Sequence, residues 1–410
     1  MPNDHVSTDG LADDAALLER FRPVFDAVAA TAAADERARR LPFDTIGTLR
    51  ERGFTALRVP AALGGGGISI PALFRLLEAL AEADPSLVQI LRAHFAFVEG
   101  QRANPDREAG ERWLRSVAAG AVFGAAMAER TPGTDTTATL SRADDGWILH
   151  GTKYYCTGTL YSSRIIAVAR DGSDRVAVAV PADAPGVHRD DDWDGFGQRT
   201  TGSGTTRFES VRVSDADILR RTPQGEVPGD TILIAFYQLF HIAALAGIAR
   251  AVRRDAIGFV QNKTRTFGVP GRDEPRHDPL VQRVVGRISA NVFALDSIVE
   301  HLAHRIQRVA DRRDSGHPVA DDVTALDIAA FEAQQTAIDL ALSTTTLLFE
   351  VGGASATATS RNLDRHWRNA RVLASHNPAA QRERMIVDWR LNGTDPGETW
   401  RNAAARNAEG

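Results

Sequence analysis

The sequence predicts an α+β chain in three parts: a helical N-terminal region, a β-rich middle and a helical C-terminal region. Three observations carry this. Apolar residues recur at helical spacing through the first 120 residues, the period drops to two over about 121–215, and the helical period returns beyond about 228. The expected domains are therefore 1–120, 121–227 and 228–410, which suits a 410-residue chain given a domain prior of ~150 residues.

The N-terminal helices are placed by amphipathic patterns over Ala15–Ala30, Leu73–Leu80 and Leu87–Val98. A glycine run at 63–67 and the Pro105-Asp106 pair break them. In the middle, Trp147-Ile-Leu149, Ile165–Val168, Val176–Val180 and Val211-Arg-Val213 are β-prone runs between Gly, Asp and Pro clusters. Beyond these, helical patterns over 230–262, 278–313 and 322–351 have connections short enough to make them neighbours, so a four-helix bundle is the natural packing.

Charge and composition remove several function classes. Forty-eight Lys and Arg against 53 Asp and Glu leave a net charge of −5, which gives no basic field to recruit nucleic acid or an anionic membrane. Unbroken apolar stretches fall short of the ~18 residues that cross a bilayer. The one cysteine, Cys156, excludes an internal disulfide, and the first residues lack the cationic and apolar regions of a secretory signal, so a cytoplasmic protein is expected. No G-x-G-x-x-G or Walker motif is present, and His301 and His304 lack the H-E-x-x-H pattern. Neither a nicotinamide site nor a metal is expected.

Four segments place polar groups in apolar surroundings. On the helix of 87–98, His94 shares a face with Ile90 and Val98, so its imidazole points inward, either as a satisfied core histidine or as a functional group. Gly151-Thr-Lys-Tyr-Tyr-Cys-Thr157-Gly158 ends a strand beside a glycine. Asp190–Arg199 sets Trp193 in an acidic, glycine-rich loop and is followed by Gly202-Ser203-Gly-Thr-Thr-Arg-Phe208. Such loops commonly cover a ligand. Lastly, Leu363–Pro378 is cationic, carries Arg368, and stops at His376 before Asn-Pro.

Taken in order, these segments resemble the acyl-CoA dehydrogenase-like flavoproteins. The resemblance implies an N-terminal helical domain, a middle β-barrel and a C-terminal four-helix bundle. Gly151–Thr157 is similar to that family's strand whose last hydroxyl meets the flavin near N5, here Thr157. Asn262-Lys-Thr-Arg265-Thr-Phe267-Gly268 resembles the segment whose arginine reaches a cofactor phosphate across a subunit interface, although only one residue separates Arg265 from Phe267. The family's dehydrogenases remove an α-proton with a carboxylate. Registered on this chain, one base position falls at Asn377, and the alternative helix, Thr231–Gly247, contains no acid.

These departures make the sequence most similar to the flavin-dependent monooxygenase branch, the dibenzothiophene monooxygenase type. That branch implies a two-component enzyme that takes reduced FMN, with FAD the other candidate, from a separate NAD(P)H:flavin reductase. It oxygenates a small organosulfur, amine or aromatic molecule with O2 through a flavin C4a-hydroperoxide. By resemblance, His94, His376 and Thr157 are the catalytic candidates, and Thr157, Trp193, Ser203, Arg265, Phe267 and Arg368 hold the cofactor. A histidine near its usual pKa supplies or relays a proton, His376 first and His94 second. A homotetramer is implied. Ala125 and Ser355 depart from that branch, which has asparagine and arginine there. The alternative is an acyl-CoA dehydrogenase or flavin oxidase with a relocated base.

Overall fold

A computed structural model describes residues 8–130, 136–224, 226, 231–262 and 274–397. The N-terminal part comprises α1 (Thr8–Ala38), α2 (Phe43–Glu51), α3 (Ile70–Ala83), α4 (Pro85–Arg102) and α5 (Arg107–Ala118). Asp84 decides how α4 is aimed. Its extended backbone ends α3, its carboxylate accepts from the Ser86 amide, and Pro85 opens α4 with a preset φ, so the chain reverses over one residue.

The middle part contributes β1 (Phe123–Ala126), β2 (Thr139–Ala143), β3 (Gly146–Lys153), β4 (Arg164–Asp171), β5 (Asp174–Pro181), β6 (Val187–Arg189), β7 (Thr206–Val213) and β8 (Ile218–Thr222). They form one sheet in the order β6-β7-β3-β2-β4-β5-β8, with β1 parallel to β4. The barrel implied by resemblance is not formed. The path ends in two unjoined edges: β6, only three residues long, and β8. At its middle, β2 meets β4 through the single pair Thr139 and Arg170. Closure requires staggered pairing all the way round, and neither the edges nor this narrow joint supplies it. Alternating side chains, among them Leu149, Val176, Val178, Val180 and Val211, nonetheless give the sheet its own core.

In the C-terminal part, α6 (Leu233–Gln261), α7 (Pro279–Asp314) and α8 (Ala320–Gly352) are long, and α9 (Arg365–Ala374) and α10 (Ala379–Asn392) are short. Helix α6 is long and apolar enough to pass for a membrane span, yet most of that stretch is buried inside the protein. It is the central core helix, packed by α3, α4, α7, α8 and α9. Gly247 permits the α3 crossing, since a Cβ there would lie 2.3 Å from Ala81 Cβ. The junction of helices and sheet is aromatic: Phe97 of α4 stacks on Phe123 of β1 at 3.8 Å, with Trp113 edge-on to both. This contact fixes α4 against the sheet, and a cavity opens between α4 and the strands.

Candidate functional site

A cavity of about 620 Å³ is lined by α4, the segment after β3, the loop before β7 and the end of α9. Its sheet side depends on two backbone features. Tyr155 takes a left-handed conformation and Gly158 follows with φ +83°, where a Cβ would lie 2.7 Å from the Ile90 carbonyl. The chain therefore passes directly over α4 and leaves Thr157 in the cavity wall.

A directed chain of hydroxyls runs from that wall. Thr201 donates to the Gln198 carbonyl (2.9 Å), which can only accept. Thr201 must then receive its bond from Ser203 (2.7 Å), and Ser203 in turn from Thr157 (2.8 Å). With its proton committed inward, Thr157 Oγ1 offers the cavity an acceptor. Beside it, Gln198 is 2% exposed, and neither its Oε1 nor its Nε2 has a partner among the described residues. A buried amide left this way carries a desolvation cost that a ligand with a matching donor and acceptor removes.

The loop carrying Gln198 is held from outside the cavity. Asp192 accepts from both the amide and the hydroxyl of Thr205 at 2.6 Å, Arg39 pairs with Asp191 at 2.6 Å, and Asn369 of α9 accepts from the Gln198 amide at 2.6 Å. Trp193 lines the cavity, donates its indole N–H to the Gln198 carbonyl (3.0 Å) and lies edge-on to Tyr155. Phe196, on the same loop, stacks on Trp367.

On the helical side stand His376 and Arg92. The guanidinium Nη2 donates to His376 Nε2 (3.2 Å), which fixes the ring proton on Nδ1, where it is shared with Asn377 Oδ1 (3.3 Å). Asn377 in turn donates to Gln238 of α6 (3.0 Å). His241, also on α6, lies against His376 with ring centroids 4.4 Å apart. Burial, and then the Arg92 charge, push the His376 pKa down to about 3. The expectation of an imidazole near its ordinary pKa is thus revised: His376 is neutral and brings no proton of its own to the cavity.

Of the sequence candidates, Thr157, Ser203, Trp193 and His376 meet at this cavity. His94 does not. It is fully buried on α4, its Nε2–H donating to the Thr55 carbonyl (2.8 Å) and its Nδ1 accepting from the Phe123 amide (3.2 Å), while burial lowers its pKa to about 4. Arg368 is also engaged elsewhere: it pairs with Glu36 and Asp364, and donates to the Asn362 side chain and the Phe196 carbonyl (both 2.9 Å), so it braces the Trp193 loop. Arg265 and Phe267 lie outside the described residues. Sequence reasoning missed Arg92, Gln198 and Thr201 as wall residues. A lone cation in the apolar run Leu87–Val98 was the available signal for Arg92. Among the described residues the cavity lining holds one carboxylate, Asp194, exposed on the Trp193 loop; the base position registered at Asn377 is an amide, bonded to Gln238 of α6, and the alternative stretch Thr231–Gly247 contains no acid.

Family models agree with this architecture. Those for the acyl-CoA dehydrogenase N-terminal, middle and C-terminal domains match residues 12–121, 124–211 and 239–381. The chain belongs to the acyl-CoA dehydrogenase-like superfamily. It is 27% identical to dibenzothiophene monooxygenase of Rhodococcus qingshengii, with 96% of each chain covered. The FMN-bound structure of TdsC from Paenibacillus sp. A11-2 superposes with a TM-score of 0.84 at 28% identity, covering 92% of this chain and 98% of that one. The methanesulfinate monooxygenase MsuC of Pseudomonas fluorescens gives 0.82 at 25%, covering 92% and 97%.

Proposed function

We propose that this chain is the oxygenase of a two-component flavin system. It takes reduced FMN from a separate reductase and, with O2, oxygenates a small organic molecule. The observation that carries the reading is the cavity itself: a hydroxyl acceptor and an unpartnered amide on the sheet side, an amide at the base position registered at Asn377, and no acid along the alternative stretch Thr231–Gly247. The likeness to FMN-bound TdsC supports FMN as the cofactor.

When bound, reduced FMN supplies the electrons that activate O2, and the protein supplies the surroundings. Thr157 Oγ1, its orientation fixed by Ser203 and Thr201, would offer its acceptor to the ring N5–H. Gln198 offers a donor and an acceptor to a polar ring edge. Trp193 and Phe196 keep water from the reacting side. His376, neutral and protonated at Nδ1, is held between the Arg92 guanidinium at Nε2 and the Asn377 amide oxygen at Nδ1, and so positions the Arg92 side chain in the cavity wall. In this reading Arg265 and Phe267 serve the phosphate end, across the interface of a homotetramer in the cytoplasm, and Arg368 and His94 position these parts without touching the flavin.

The test is isotopic. The full chain, supplied with reduced FMN by a reductase under 18O2, is offered a panel of sulfides, sulfinates, amines and indoles. One atom of 18O in a product, with none from labelled water, is expected. Bleaching of bound oxidised flavin by an acyl-CoA thioester, without 18O transfer, would overturn the reading.

A further inference from the structure

Arg92 differs from four other inward-facing arginines. Arg58 meets Glu99 at 2.6 Å, Arg250 meets Asp296 at 2.8 Å, Arg365 meets Asp255 at 2.9 Å, and Arg368 meets Glu36. Arg92 meets no carboxylate among the described residues. Its Nη2 is bonded to a neutral imidazole, its charge lies 4.9 Å over the Tyr237 ring, and its Nε is buried without a partner. Removing a guanidinium from water without a counter-ion is costly, and neither the ring nor the imidazole supplies opposite charge. Yet this group lines the cavity. Around it the wall is largely apolar, with Ala93, Met127, Val372 and Leu373, and the neighbouring His241 has an unpartnered Nε2.

We infer that Arg92, with His376 beside it, is the receptor for an anionic head group of the substrate. The molecule taken is then a small organic acid, a carboxylate or sulfinate on an apolar body, and not a neutral heteroarene. The apolar wall holds the body, and the Arg92 fork takes the oxyanion in charge-assisted hydrogen bonds. The geometry separates this anion from the flavin: Thr157, Ser203 and Gln198 belong to the sheet side, whereas Arg92 and His376 belong to α4 and the end of α9. The head group also fixes which atom of the body faces the ring, so the receptor acts on orientation as well as affinity. That the bound acid is the molecule oxygenated rests on the reading above, whereas its binding at Arg92 does not.

Matched pairs test this: benzoate against benzamide, and benzenesulfinate against methyl phenyl sulfone, titrated calorimetrically into the full chain with and without oxidised FMN. Each anion is expected to bind roughly tenfold or more tightly than its neutral partner, and Arg92→Gln to erase that preference. Arg92→Lys, which keeps the charge but not the fork, should retain part of it, and thermal melts establish that both variants fold. FMN affinity, read by flavin fluorescence, should change little in either variant. Equal binding of anion and neutral partner, or a loss of FMN affinity in Arg92→Gln that matches the loss of anion binding, would overturn the inference, the second by giving the guanidinium to the cofactor phosphate. Anion preference without 18O transfer would leave the receptor standing and remove only the oxygenase reading.

Discussion

Replacing His94 by leucine distinguishes a structural pivot from a catalytic imidazole. The ring joins three segments distant in sequence: α4, the turn at Thr55 and the start of β1 at Phe123. Leucine fills similar space but strands the Thr55 carbonyl and the Phe123 amide, both in residues at most 1% exposed. At about 1–3 kcal/mol per stranded group, the loss is about 2–5 kcal/mol after the added apolar contact is allowed for. With an unfolding entropy of ~2.1 cal/mol/K per residue, that lowers Tm by about 2–6 °C in scanning calorimetry at pH 7.5. The effect also has a pH signature. Because burial holds the folded pKa near 4 against 6.5 in the unfolded chain, the neutral ring contributes its full stability above pH 6.5. That contribution is lost as the pH falls through 4, and amounts to about 3 kcal/mol over the window. The gap in Tm between wild type and His94→Leu should therefore narrow from pH 7 to pH 4.5, while kcat per folded molecule changes less than about threefold, because the ring does not line the cavity. A gap independent of pH, or a collapse of kcat with Tm unchanged, would refute the reasoning.

Two further outcomes follow from the sheet side of the cavity. Thr157→Val keeps the volume but removes the acceptor, so the ratio of product to released hydrogen peroxide should fall about tenfold or more, with Thr157→Ser restoring most of it; an unchanged ratio would show that the hydroxyl chain is only structural. Gln198→Leu removes the unpartnered amide, and the FMN dissociation constant from fluorescence titration should rise roughly tenfold, in line with the loss of ~1–1.5 kcal/mol of hydrogen bonding. Tighter FMN binding in that variant would mean that the amide faces no ligand.

Local patterns were legible, and distant pairings were not. The three-part order follows from apolar period, which neighbouring residues set. Whether the sheet closes depends on edges far apart in the chain, and resemblance supplied a barrel where β6 and β8 remain unjoined. The inward aim of His94 could be read from Ile90 and Val98, but the groups that hold it, Thr55 and Phe123, could not, because backbone acceptors and donors leave no mark in a side-chain pattern. Arg368 was similar. Resemblance gave it to the cofactor, whereas the carboxylate that engages it, Glu36, lies 332 positions away. Thr157, Ser203, Trp193 and His376 were recoverable because glycines and helix stops bracket them in sequence and the fold brings those brackets to one cavity.

The missing base and the unpaired guanidinium are one fact seen from two sides. Gln238, Asn377, His376 and Arg92 form a single hydrogen-bonded line from α6 to α4. A carboxylate at Asn377 would draw a proton onto the imidazole, place a counter-ion near Arg92, and put a base within reach of a bound thioester. With an amide there, the imidazole remains neutral and the guanidinium retains its charge. On the proposed reading the substrate chemistry changes accordingly: a cavity with an amide at Asn377 and a cation at Arg92 suits an anionic molecule whose reacting atom is oxidised by a partner bound opposite. Asn377→Asp should therefore raise the His376 pKa, measured by NMR titration of the ring, and weaken benzenesulfinate binding. If the variant binds that anion as tightly as wild type, the line of four residues does not act as a unit.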